Sequence, residues 1–561
     1  MAIMDKEKLK IGLLIDNYNI AYWQYKIVEE IQNSDFGEVT LVAIVSQPKT
    51  NEAFKFFELL QHKERLIFDI HLKLDELILG RSTNYSKIKN SKTILQDADK
   101  ISLTAGHEEY KNNLAHKDFG EIRNCNLDII LKFSSKSLPG NIFSIPKYGI
   151  WSIEPTDNDI KGEPLGYWEV MNEWGTTDLK LQILSHGAGA TKVIHRSSLL
   201  TNNISISKNR NLCYFRAATV IPRIIQGLYN FGEPYLMMLE NRIKKEVNND
   251  RRFYKKFLLF SGLINIFLHF FRVNKRLLRK MFYVDFWQVL YKIDSNDTFV
   301  SSLREFKFLP SPSDRFWADP FVISKDDKHF IFVEELIYKT NKGHIAVIEM
   351  DSVGNFISSK KVLEKDYHLS YPFLLKHNNT YYMIPETGEN KTIELYKCTE
   401  FPYKWEFVTN LMEGIRTADV TLFYHDDLWW LFCCIDKSGL HEGILDELYL
   451  FYSDDLFSKK WQSHPDNPIN TDTRTARPGG KIFIKDNKIY RPSQDCSGIY
   501  GKAININQII KLSRTEYEEK VISKINPDQE KDLIGTHTYN GNDKIIVADG
   551  FKYKKRLDIK V

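Results

Sequence analysis

The sequence is poor in cysteine and lacks most of the short motifs that mark common catalytic sites. Six cysteines stand among 561 residues, and no two of them form a C-x-x-C pair. No P-loop, nucleophile elbow, metal-ligand spacing or nucleic-acid-binding module is recognisable, and no G-x-G-x-x-G follows the first apolar run. We therefore expect no metal ion, no dinucleotide fingerprint site and no nucleic-acid partner.

An apolar leader is also missing before the first predicted strand, which begins at Leu9. Without a secretory signal, we expect a cytoplasmic protein whose cysteines stay free and buried. The net charge is only +4, so the chain as a whole is no polyanion binder. However, residues 242–280 contain twelve lysines and arginines against two acidic residues. This segment therefore has a basic role that the rest of the chain does not share.

The first part of the chain alternates short apolar runs with helical spacing. The runs are Lys10–Asp16 (KIGLLID), Val39–Val45 (VTLVAIV) and Asp128–Phe133 (DIILKF), and residues 20–33 have the spacing of a helix. Buried strands that alternate with helices are typical of a parallel sheet covered on both faces. The sequence predicts a doubly wound α/β domain over residues 1–232, with a ligand cleft at the carboxyl ends of its strands.

The stretch from Leu127 to Ile194 resembles the catalytic half of the formyltransferase family, the fold of methionyl-tRNA formyltransferase. It combines an apolar strand with the loop LPGNIFSIPKYGIWSIEP and a later segment, SHGAGATKVI. The resemblance covers about residues 8–230. It implies a formyltransferase-like Rossmann domain in the first half of the chain.

In that family an Asn, a His and an Asp bind the formyl oxygen and move a proton. Their positions fall here on Ser152, Glu154 and Gly189, so all three differ. A serine donates one hydrogen bond and a glutamate can act as a base, but glycine leaves nothing to orient that base. Formyl-tetrahydrofolate is therefore not the expected donor. Ser152, Glu154 and Asn158 remain candidate substrate-binding residues, although the acidic loop after Glu154 also fits a solvated turn.

Residues 233–298 predict a basic, amphipathic helical linker. Within it, residues 257–271 read FLLFSGLINIFLHFF, which is shorter than the roughly 20 residues that cross a bilayer. Ser261, Asn265 and His269 are spaced to share one helical face, and the opposite face is Leu, Ile and Phe. The sequence therefore predicts a helix with one wholly apolar side.

Lysines and arginines both precede and follow that apolar stretch. An apolar face flanked by cations is typical of a helix that lies in the plane of an anionic membrane. We expect residues 251–280 to contact such a surface, with the protein peripheral on the inner face of the cytoplasmic membrane. The alternative is a helix packed between the two domains, with its charges solvated.

From Arg315 onward the pattern changes to strand-like alternation and repeats five times. Each repeat has a polar or small cluster, a strand, a polar turn and a second strand, and the turns read KDD, HNN, HDD, KDN and NGND. Equivalent positions in successive repeats are 52, 48, 58 and 60 residues apart, which leaves room for the ~40–50 residues of one four-stranded blade. Their equivalent positions are Asp319, Tyr371, Asp419, Arg477 and His537. This pattern predicts a five-bladed β-propeller over residues 299–561.

The equivalent positions should line the axis, where the innermost strands of a propeller converge. Asp319 and Asp419 are predicted to be catalytic because they share one register. The second strands add Glu386 and either Glu334 or Glu335, of which Glu335 is the preferred candidate. The candidate substrate-binding residues are Trp317, Tyr371, Arg477, Arg491, Asp495 and His537. Burying such a set of charges without a ligand or mutual pairing is costly.

The second half also carries a resemblance. The motifs FWADPF, HLSYPFLL, YYMIPETGENKTIELY, ADVTLF, DELYLFYSDDLF, ARPGGKIF and YRPSQDCSGIYG occur in order and resemble the propeller-type domain of plant glucosamine inositolphosphorylceramide transferases. That domain is similar to five-bladed glycoside hydrolases and fructosidases, whose first blade carries a catalytic Asp before a Pro, as in Asp319-Pro320. The resemblance implies a funnel that faces carbohydrate. The separate glycosyltransferase domain of the plant enzymes is not expected within these residues.

Together these features predict a transferase of bacterial-type cell-surface polysaccharide or glycolipid synthesis. The propeller would hold a carbohydrate or glycolipid acceptor, and the α/β cleft an activated donor such as a nucleotide sugar. Two alternatives stay open. One is an N-formyltransferase that acts on an amino sugar with a formyl-folate donor, and the other is a non-catalytic scaffold that binds glycans.

Overall fold

The computed structural model describes residues 6–46, 63–79, 85–104, 116–136, 138, 140–155, 165–185, 191–245, 259–293, 302–436 and 445–559. The chain divides into two compact units. Unit 1 is Met1–Ser197 with Thr201–Phe270, and unit 2 is Ser198–Leu200 with Phe271–Val561.

The first nine strands precede the propeller. They are β1 (Leu9–Ile15), β2 (Asn19–Ala21), β3 (Gly37–Ser46), β4 (Ile88–Asn90), β5 (Asp99–Thr104), β6 (Ile129–Lys132), β7 (Ile150–Pro155), β8 (Thr176–Leu184) and β9 (Lys192–Leu200). The helices are α1 (Tyr22–Gln32), α2 (Lys63–Leu79), α3 (His116–Asn124), α4 (Tyr167–Met171), α5 (Ile206–Phe231), α6 (Glu233–Lys245) and α7 (Leu259–Phe282). β2 and β4 pair with each other in a small separate sheet.

Seven of these strands form one sheet in the order β5-β3-β1-β6-β7-β8-β9. The pairs from β5 to β7 are parallel, and β8 runs antiparallel to β7. The strand order reverses between β1 and β6, because the chain builds outward from β1 to β5 and then returns to β6. Such a reversal defines the switch point of a doubly wound sheet. The predicted α/β sheet is confirmed, whereas its assignment to the formyltransferase family stays a prediction.

Unit 2 holds the remaining strands. They are β10 (Tyr283–Ile293), β11 (Lys307–Phe308), β12 (Arg315–Lys325), β13 (Lys328–Ile337), β14 (Lys342–Asp351), β15 (Phe356–Leu363), β16 (Ser370–His377), β17 (Thr380–Glu386), β18 (Thr392–Glu400), β19 (Lys404–Glu413), β20 (Thr417–His425), β21 (Leu428–Ile435), β22 (Leu448–Ser453), β23 (Gln462–Ser463), β24 (Phe483–Lys485), β25 (Lys488–Asp495), β26 (Ala503–Leu512), β27 (Tyr517–Ile525), β28 (Tyr539–Gly541) and β29 (Ile545–Lys555).

These strands make five four-stranded sheets, which are the blades of a β-propeller. Four blades are continuous in sequence, β12 to β15, β16 to β19, β20 to β23 and β24 to β27. The fifth has the order β11-β10-β29-β28, so it joins the first two strands of the unit to the last two. Closure of this kind removes the open edges of a sheet array. The five-bladed propeller predicted from the repeats is confirmed.

The start of the propeller differs from the expected residue 299. The predicted linker, residues 233–298, includes β10, but Tyr283–Ile293 pairs along its whole length with Ile545–Lys555. Sequence reasoning missed it because β10 stands apart from the five repeated hairpins and finds its partner at the far end of the chain. The helical part of the linker therefore ends at Phe282, with α7.

The turns within four of the hairpins explain the polar pairs seen in the sequence. Both central residues have positive φ in Asp326-Asp327, Asn378-Asn379, Asp426-Asp427 and Asp486-Asn487. Two consecutive left-handed residues make the type I′ turn, which matches the twist of antiparallel strands and favours Asn and Asp. The sequence thus places the right residues where each inner hairpin must reverse.

Candidate active site at the propeller axis

Three innermost strands break their pairing at the same place. Each of β12, β16 and β20 shifts its register with the next strand across one pair of residues. The pairs are Asp319-Pro320 in β12, Tyr371-Pro372 in β16 and Asp419-Val420 in β20. The first residue of each pair has a left-handed backbone, with φ of 51°, 41° and 53°. Such a backbone costs a non-glycine residue about 1–2 kcal/mol. Strain of this kind persists where the surroundings hold it, often at functional sites.

The bulges turn backbone amides toward buried carboxylates. The amide of Asp319 donates to Oδ2 of Asp549, and the amide of Tyr371 donates to Oδ2 of Asp319, each at 3.2 Å. The amide of Asp419 donates to Oε2 of Glu386, also at 3.2 Å. The strained residues therefore help to fix the acidic side chains at the axis.

His537 lies between two of these carboxylates. Its Nε2 is 3.0 Å from Oδ1 of Asp319, and its Nδ1 is 2.8 Å from Oδ2 of Asp549. Burial disfavours a charged imidazole, but the two carboxylates outweigh burial and raise the pKa of His537 well above its ordinary value. Burial likewise opposes ionisation of Asp319, yet His537 prevails and lowers the pKa of that carboxyl. The group is therefore an imidazolium held between two carboxylates.

This environment makes Asp319 a weak base. Its Oδ1 also accepts a hydrogen bond from Oγ1 of Thr538 at 2.8 Å, and the residue is buried. A carboxylate with a lowered pKa and several donors is a poor proton acceptor. The geometry instead suits a fixed negative charge that orients its neighbours.

Asp319, His537 and Asp549 also have the composition of a metal site, since three of their donor atoms lie within 4.8 Å of one another. A metal-binding histidine must present a neutral ring nitrogen. Both ring nitrogens of His537 already face carboxylates, at 3.0 Å from Oδ1 of Asp319 and 2.8 Å from Oδ2 of Asp549. These residues fit an ion triad better than a metal centre.

Glu386 has the pKa best suited to proton transfer. Burial raises the pKa of its carboxyl, the charge of Asp419 raises it further, and Arg477 only partly offsets both, so the pKa is about 7. The side chain is nevertheless only half-buried. A reachable group that titrates near neutrality can both accept and donate a proton.

Asp419 and Arg477 form the ion pair beside Glu386. Nε of Arg477 donates to Oδ2 of Asp419, and Nε2 of Gln494 donates to the same oxygen at 3.1 Å. Burial raises the pKa of Asp419, and Arg477 offsets that effect only in part. Arg477 therefore compensates the charge of the Asp419 carboxylate, and the backbone amide of Asp419 contacts Glu386.

Tyr500 covers the guanidinium of Arg477. The guanidinium carbon is 4.8 Å from the ring centroid of Tyr500, and this tyrosine is 42% exposed. An exposed aromatic ring offers an apolar face to a sugar, and an arginine can pair with a phosphate or carboxylate. Tyr500 thus forms the accessible part of the axis site, and Arg477 lies beneath its ring with 15% of its side chain exposed.

A second acid–histidine pair joins the first blade to the loop that leads into the second. Nε2 of His368 is 3.1 Å from Oε1 of Glu334. Burial raises the pKa of Glu334. Burial lowers the pKa of His368, but Glu334 and Glu386 outweigh it, so the net shift is upward. Of the two glutamates that the sequence offered, Glu334 therefore belongs to the axis.

Glu335, the preferred candidate, points to the other side of its strand because successive strand residues alternate. Its carboxylate accepts hydrogen bonds from Nε1 of Trp317 at 2.8 Å and from Arg315 at 3.1 Å, and it lies 2.9 Å from Nε2 of His344. Trp317 is 1% exposed and also stacks on Phe356. These two predicted site residues therefore lie in a cluster inside the first blade.

Two more predicted binding residues, Arg491 and Asp495, are also held in ion pairs within a blade. Arg491 is fully buried, pairs with Glu519 at 2.7 Å and donates to backbone carbonyls in the fourth blade. Asp495 pairs with Lys524 and accepts the amide of Ser497 at 2.8 Å. Tyr371 is at the axis through its bulge, but its hydroxyl bonds the Thr421 hydroxyl at 3.0 Å and the residue is fully buried.

The candidate residues of unit 1 are less well defined. Ser152 lies in β7 opposite Gln182 and is 6% exposed. Glu154 also lies in β7, but its side chain is outside the described residues, as are Asn158 and Gly189. Of the three predicted formyl-site positions, only Ser152 has a described side chain.

Tyr500 and His368 were missed by the sequence reasoning. Both lie inside quoted motifs, YRPSQDCSGIYG and HLSYPFLL, but in loops that precede or follow the hairpin strands. Gly498 and Gly501, with φ of 85° and 62°, mark the loop that positions Tyr500. A signal was therefore present in the motifs, although strand register gave no reason to choose these residues.

Comparison with known proteins supports the propeller resemblance. Residues 304–547 match the family model described as "Glucosamine inositolphosphorylceramide transferase 1, N-terminal". The protein of that name from Oryza sativa subsp. japonica is 34% identical over 232 residues, which cover 40% of this chain and 30% of the rice protein. The Arabidopsis thaliana protein is 33% identical over 214 residues, covering 38% of this chain and 27% of the relative. The chain thus spans less than a third of the length of the curated relatives it matches.

Solved structures give weaker likenesses. A thermostable family-43 glycoside hydrolase aligns with a TM-score of 0.32 and 13% identity, covering 43% of this chain and 89% of that chain. An exo-1,5-alpha-L-arabinanase from a bovine ruminal metagenomic library aligns with a TM-score of 0.30 and 14% identity, covering 44% of this chain and 95% of that chain.

Proposed function

We propose that the protein is a glycosyltransferase of glycolipid synthesis and that the propeller axis binds the glycolipid and takes part in the transfer. One observation carries this proposal: Glu386, half-buried and with a pKa of about 7, lies beside Arg477, whose guanidinium is covered by the exposed ring of Tyr500. Sugar binding, charge recognition and proton transfer are thereby available at one place.

The chemistry assigns a role to each group. A hydroxyl of the acceptor headgroup attacks the anomeric carbon of the donor, the bond from that carbon to the leaving phosphate breaks, and the hydroxyl proton passes to ionised Glu386. Arg477 offsets the charge of a phosphate in the substrate. Asp319, held by His537, keeps a fixed negative charge beneath the site. Tyr500 supplies the face on which a sugar ring rests.

The names of the relatives suggest the substrate class. They are called glucosamine inositolphosphorylceramide transferases, so an amino sugar as the transferred group and an inositol phosphate lipid as the acceptor are the first to test. An acceptor that carries both hydroxyls and a phosphate suits the combination of Glu386 with Arg477.

The experiment uses the full chain with vesicles that contain inositolphosphorylceramide and a panel of nucleotide sugars, including UDP-N-acetylglucosamine. Lipid products are detected by mass spectrometry. We expect a new glycolipid with the wild type, none with Glu386→Gln, and wild-type yield with the matched control Glu364→Gln, whose side chain is 45% exposed and pairs with Lys361. Full product from Glu386→Gln would overturn the assignment. Lipid binding without any product would favour the scaffold alternative.

We further propose that unit 1 binds the activated donor. In doubly wound sheets ligands bind beyond the carboxyl ends of the strands at the switch point. At that point between β1 and β6, Ser134 Oγ donates to Oδ1 of Asp16 at 2.5 Å, Ser135 Oγ donates to Oδ2 at 3.2 Å, and Lys136 Nζ lies 3.4 Å from Oδ1. A lysine with two hydroxyls can hold a phosphate or a ribose.

Isothermal titration with nucleotide sugars tests the donor site. We expect Lys136→Ala to weaken binding of the preferred nucleotide sugar, whereas Lys100→Ala, an exposed change on β5, should leave it unchanged. Formyl-tetrahydrofolate forms a second arm of the titration. Binding of the folate, with no binding of any nucleotide sugar, would favour N-formyl transfer instead.

A further inference from the structure

Helix α7 turns its apolar side outward. The exposed residues along it are Leu263, Ile264, Phe267, Leu268, Phe271, Leu277, Leu278, Met281 and Phe282. His269, which the sequence placed on the polar face, is 1% exposed, and its Nε2 lies 3.5 Å from Oδ1 of Asp75 within unit 1. Part of the polar face is therefore packed inside the protein. No helix among the described residues is long and apolar enough to cross a membrane.

The C-terminal half of α7, in unit 2, is flanked by exposed cations. Lys275, Arg279 and Lys280 are all exposed. The guanidinium of Arg279 lies 4.2 Å from the ring centroid of Tyr553, and the Arg556 guanidinium donates to the carbonyl of Lys280 at 3.1 Å. These contacts fix the end of the helix against the last strand of the fifth blade. Cations beside an apolar face complement an anionic lipid surface.

The same end of unit 2 contains a basic pocket of about 600 Å³. Its lining includes Lys552, Lys554 and Lys555 of β29, together with Gln288 of β10 and the loop residue Ser311. Lys555 is opposite Tyr283, the residue that follows α7, so the pocket adjoins the end of the helix. Asp558 is also in the lining, and the three lysines leave the pocket positively charged.

Two polar atoms in this pocket lack partners. Oε1 of Gln288 and Oγ of Ser311 are buried without a hydrogen bond to any described residue. Unpaired buried polar groups are rare and costly, and a bound ligand is one way to satisfy them. Lys552 lies over the rings of Phe308 and Phe286, at 5.1 Å and 5.9 Å. The pocket therefore offers lysine cations to a phosphate group. The Ser311 hydroxyl and the Gln288 amide are available to hydroxyl groups beside that phosphate.

We propose that this surface of unit 2 docks on an anionic phospholipid bilayer, with the apolar face of the C-terminal half of α7 at headgroup depth and a phosphorylated headgroup in the lysine pocket. A peptide partner for an apolar face would not need the neighbouring cations, the three lysines or the unpaired hydroxyl. A helix that lies in the membrane plane explains these groups, because its apolar side chains lie below the lipid phosphates and its cations lie at the level of those phosphates. The proposal goes beyond the proposed reaction and does not depend on it.

Vesicle co-sedimentation of the full chain tests the proposal without an activity assay. We expect binding to vesicles of phosphatidylcholine with phosphatidylglycerol, little binding to phosphatidylcholine alone, and release by salt. Lys552→Gln/Lys554→Gln/Lys555→Gln should weaken binding by at least about tenfold. Phe271→Ser/Phe282→Ser should abolish it. Circular dichroism confirms that each variant folds.

The matched controls change exposed residues elsewhere on the propeller. Lys459→Gln/Lys460→Gln and Val353→Ser/Ile484→Ser should bind vesicles like the wild type. Wild-type binding by either test variant would overturn the proposal. Equal competition by free glycerol phosphate would reassign the pocket to a soluble phosphate ester. Loss of self-association in the phenylalanine variant, with vesicle binding unchanged, would make the face an interface between copies of this chain.

Discussion

Nε2 of His537 lies 3.0 Å from Oδ1 of Asp319, although 218 residues separate them in the chain. Asp319 is on the first strand of the first blade, and His537 precedes the innermost strand of the fifth. The ion pair therefore closes the ring of blades at the axis, where β10 and β29 close it farther out. The proposed site and the closure of the propeller share these residues.

The first prediction concerns the stability of this pair. His537→Gln should lower the free energy of unfolding by about 3–5 kcal/mol, because it leaves the buried carboxylates of Asp319 and Asp549 without a cation. Denaturant titration at neutral pH, followed by tryptophan fluorescence, measures the loss. The matched change His425→Gln, at a partly exposed turn of the third blade, should cost far less. Equal losses in the two variants would contradict the ion triad.

The second prediction is the pH dependence of the same pair. The raised pKa of His537 means that its stabilisation is complete below about pH 6.5 and is lost as the pH rises through the folded-state pKa. The lowered pKa of Asp319 gives stabilisation that is present above about pH 3.9 and is lost as the pH falls. Wild-type stability should therefore fall at alkaline pH. In His537→Gln the free energy of unfolding should fall less steeply with rising alkaline pH than in the wild type. An equal dependence on pH in the two proteins would contradict the assignment.

The third prediction concerns catalysis by Glu386. If its ionised carboxylate accepts the acceptor proton, kcat/KM should rise with pH through about 7, the pKa of that group. Glu386→Gln should lower kcat by about 10²–10⁴-fold, the usual contribution of a general base. The pH–rate profile of the wild type and the residual rate of the variant check this. A profile that falls through the same pH would make Glu386 the acid instead.

The repeats could be read from the sequence because each inner hairpin is local. The type I′ turns need Asn or Asp, and the hairpin strands alternate, so both signals lie within one short segment. β10 gave no such signal, since its partner β29 is far away in sequence. Local patterning therefore predicted the blade number and missed the closing strand.

The axis residues were harder to choose because the bulges change which way a strand residue points. The equivalent positions Asp319, Asp419 and His537 were found through the repeat register and do meet near the axis. Glu334 and Glu335 are adjacent, and only the observed pairing shows which faces His368. Arg491 resembled a ligand-binding arginine in sequence, but its partner Glu519 lies on β27, outside the repeated hairpin. Long-range pairing thus decided what spacing alone could not.

The fourth prediction tests the left-handed turns. Asn379 has φ 59° in the second hairpin. Asn379→Val should lower the free energy of unfolding by about 1–2 kcal/mol, because a β-branched side chain clashes with the backbone there. Asn379→Gly, which accepts the same φ without a clash, should be nearly neutral. Thermal denaturation of both variants decides, and equal melting temperatures would show that the turn does not constrain the hairpin.

The last prediction separates sugar binding from stability. Tyr500 is 42% exposed and covers Arg477, and its ring also packs beside His537 and Trp287, at centroid distances of 5.3 Å and 6.3 Å. Tyr500→Ala should weaken binding of the glycolipid headgroup by about tenfold, which corresponds to about 1.4 kcal/mol. Tyr500→Phe should retain most of the affinity, because the ring face and not the hydroxyl supports the sugar. Titration calorimetry with a water-soluble headgroup analogue gives both values, and Tyr424→Ala, at an exposed turn of the third blade, serves as the control. If Tyr500→Phe loses as much affinity as Tyr500→Ala, the hydroxyl is the binding group, and the substrate is held by hydrogen bonds instead of a stacked ring.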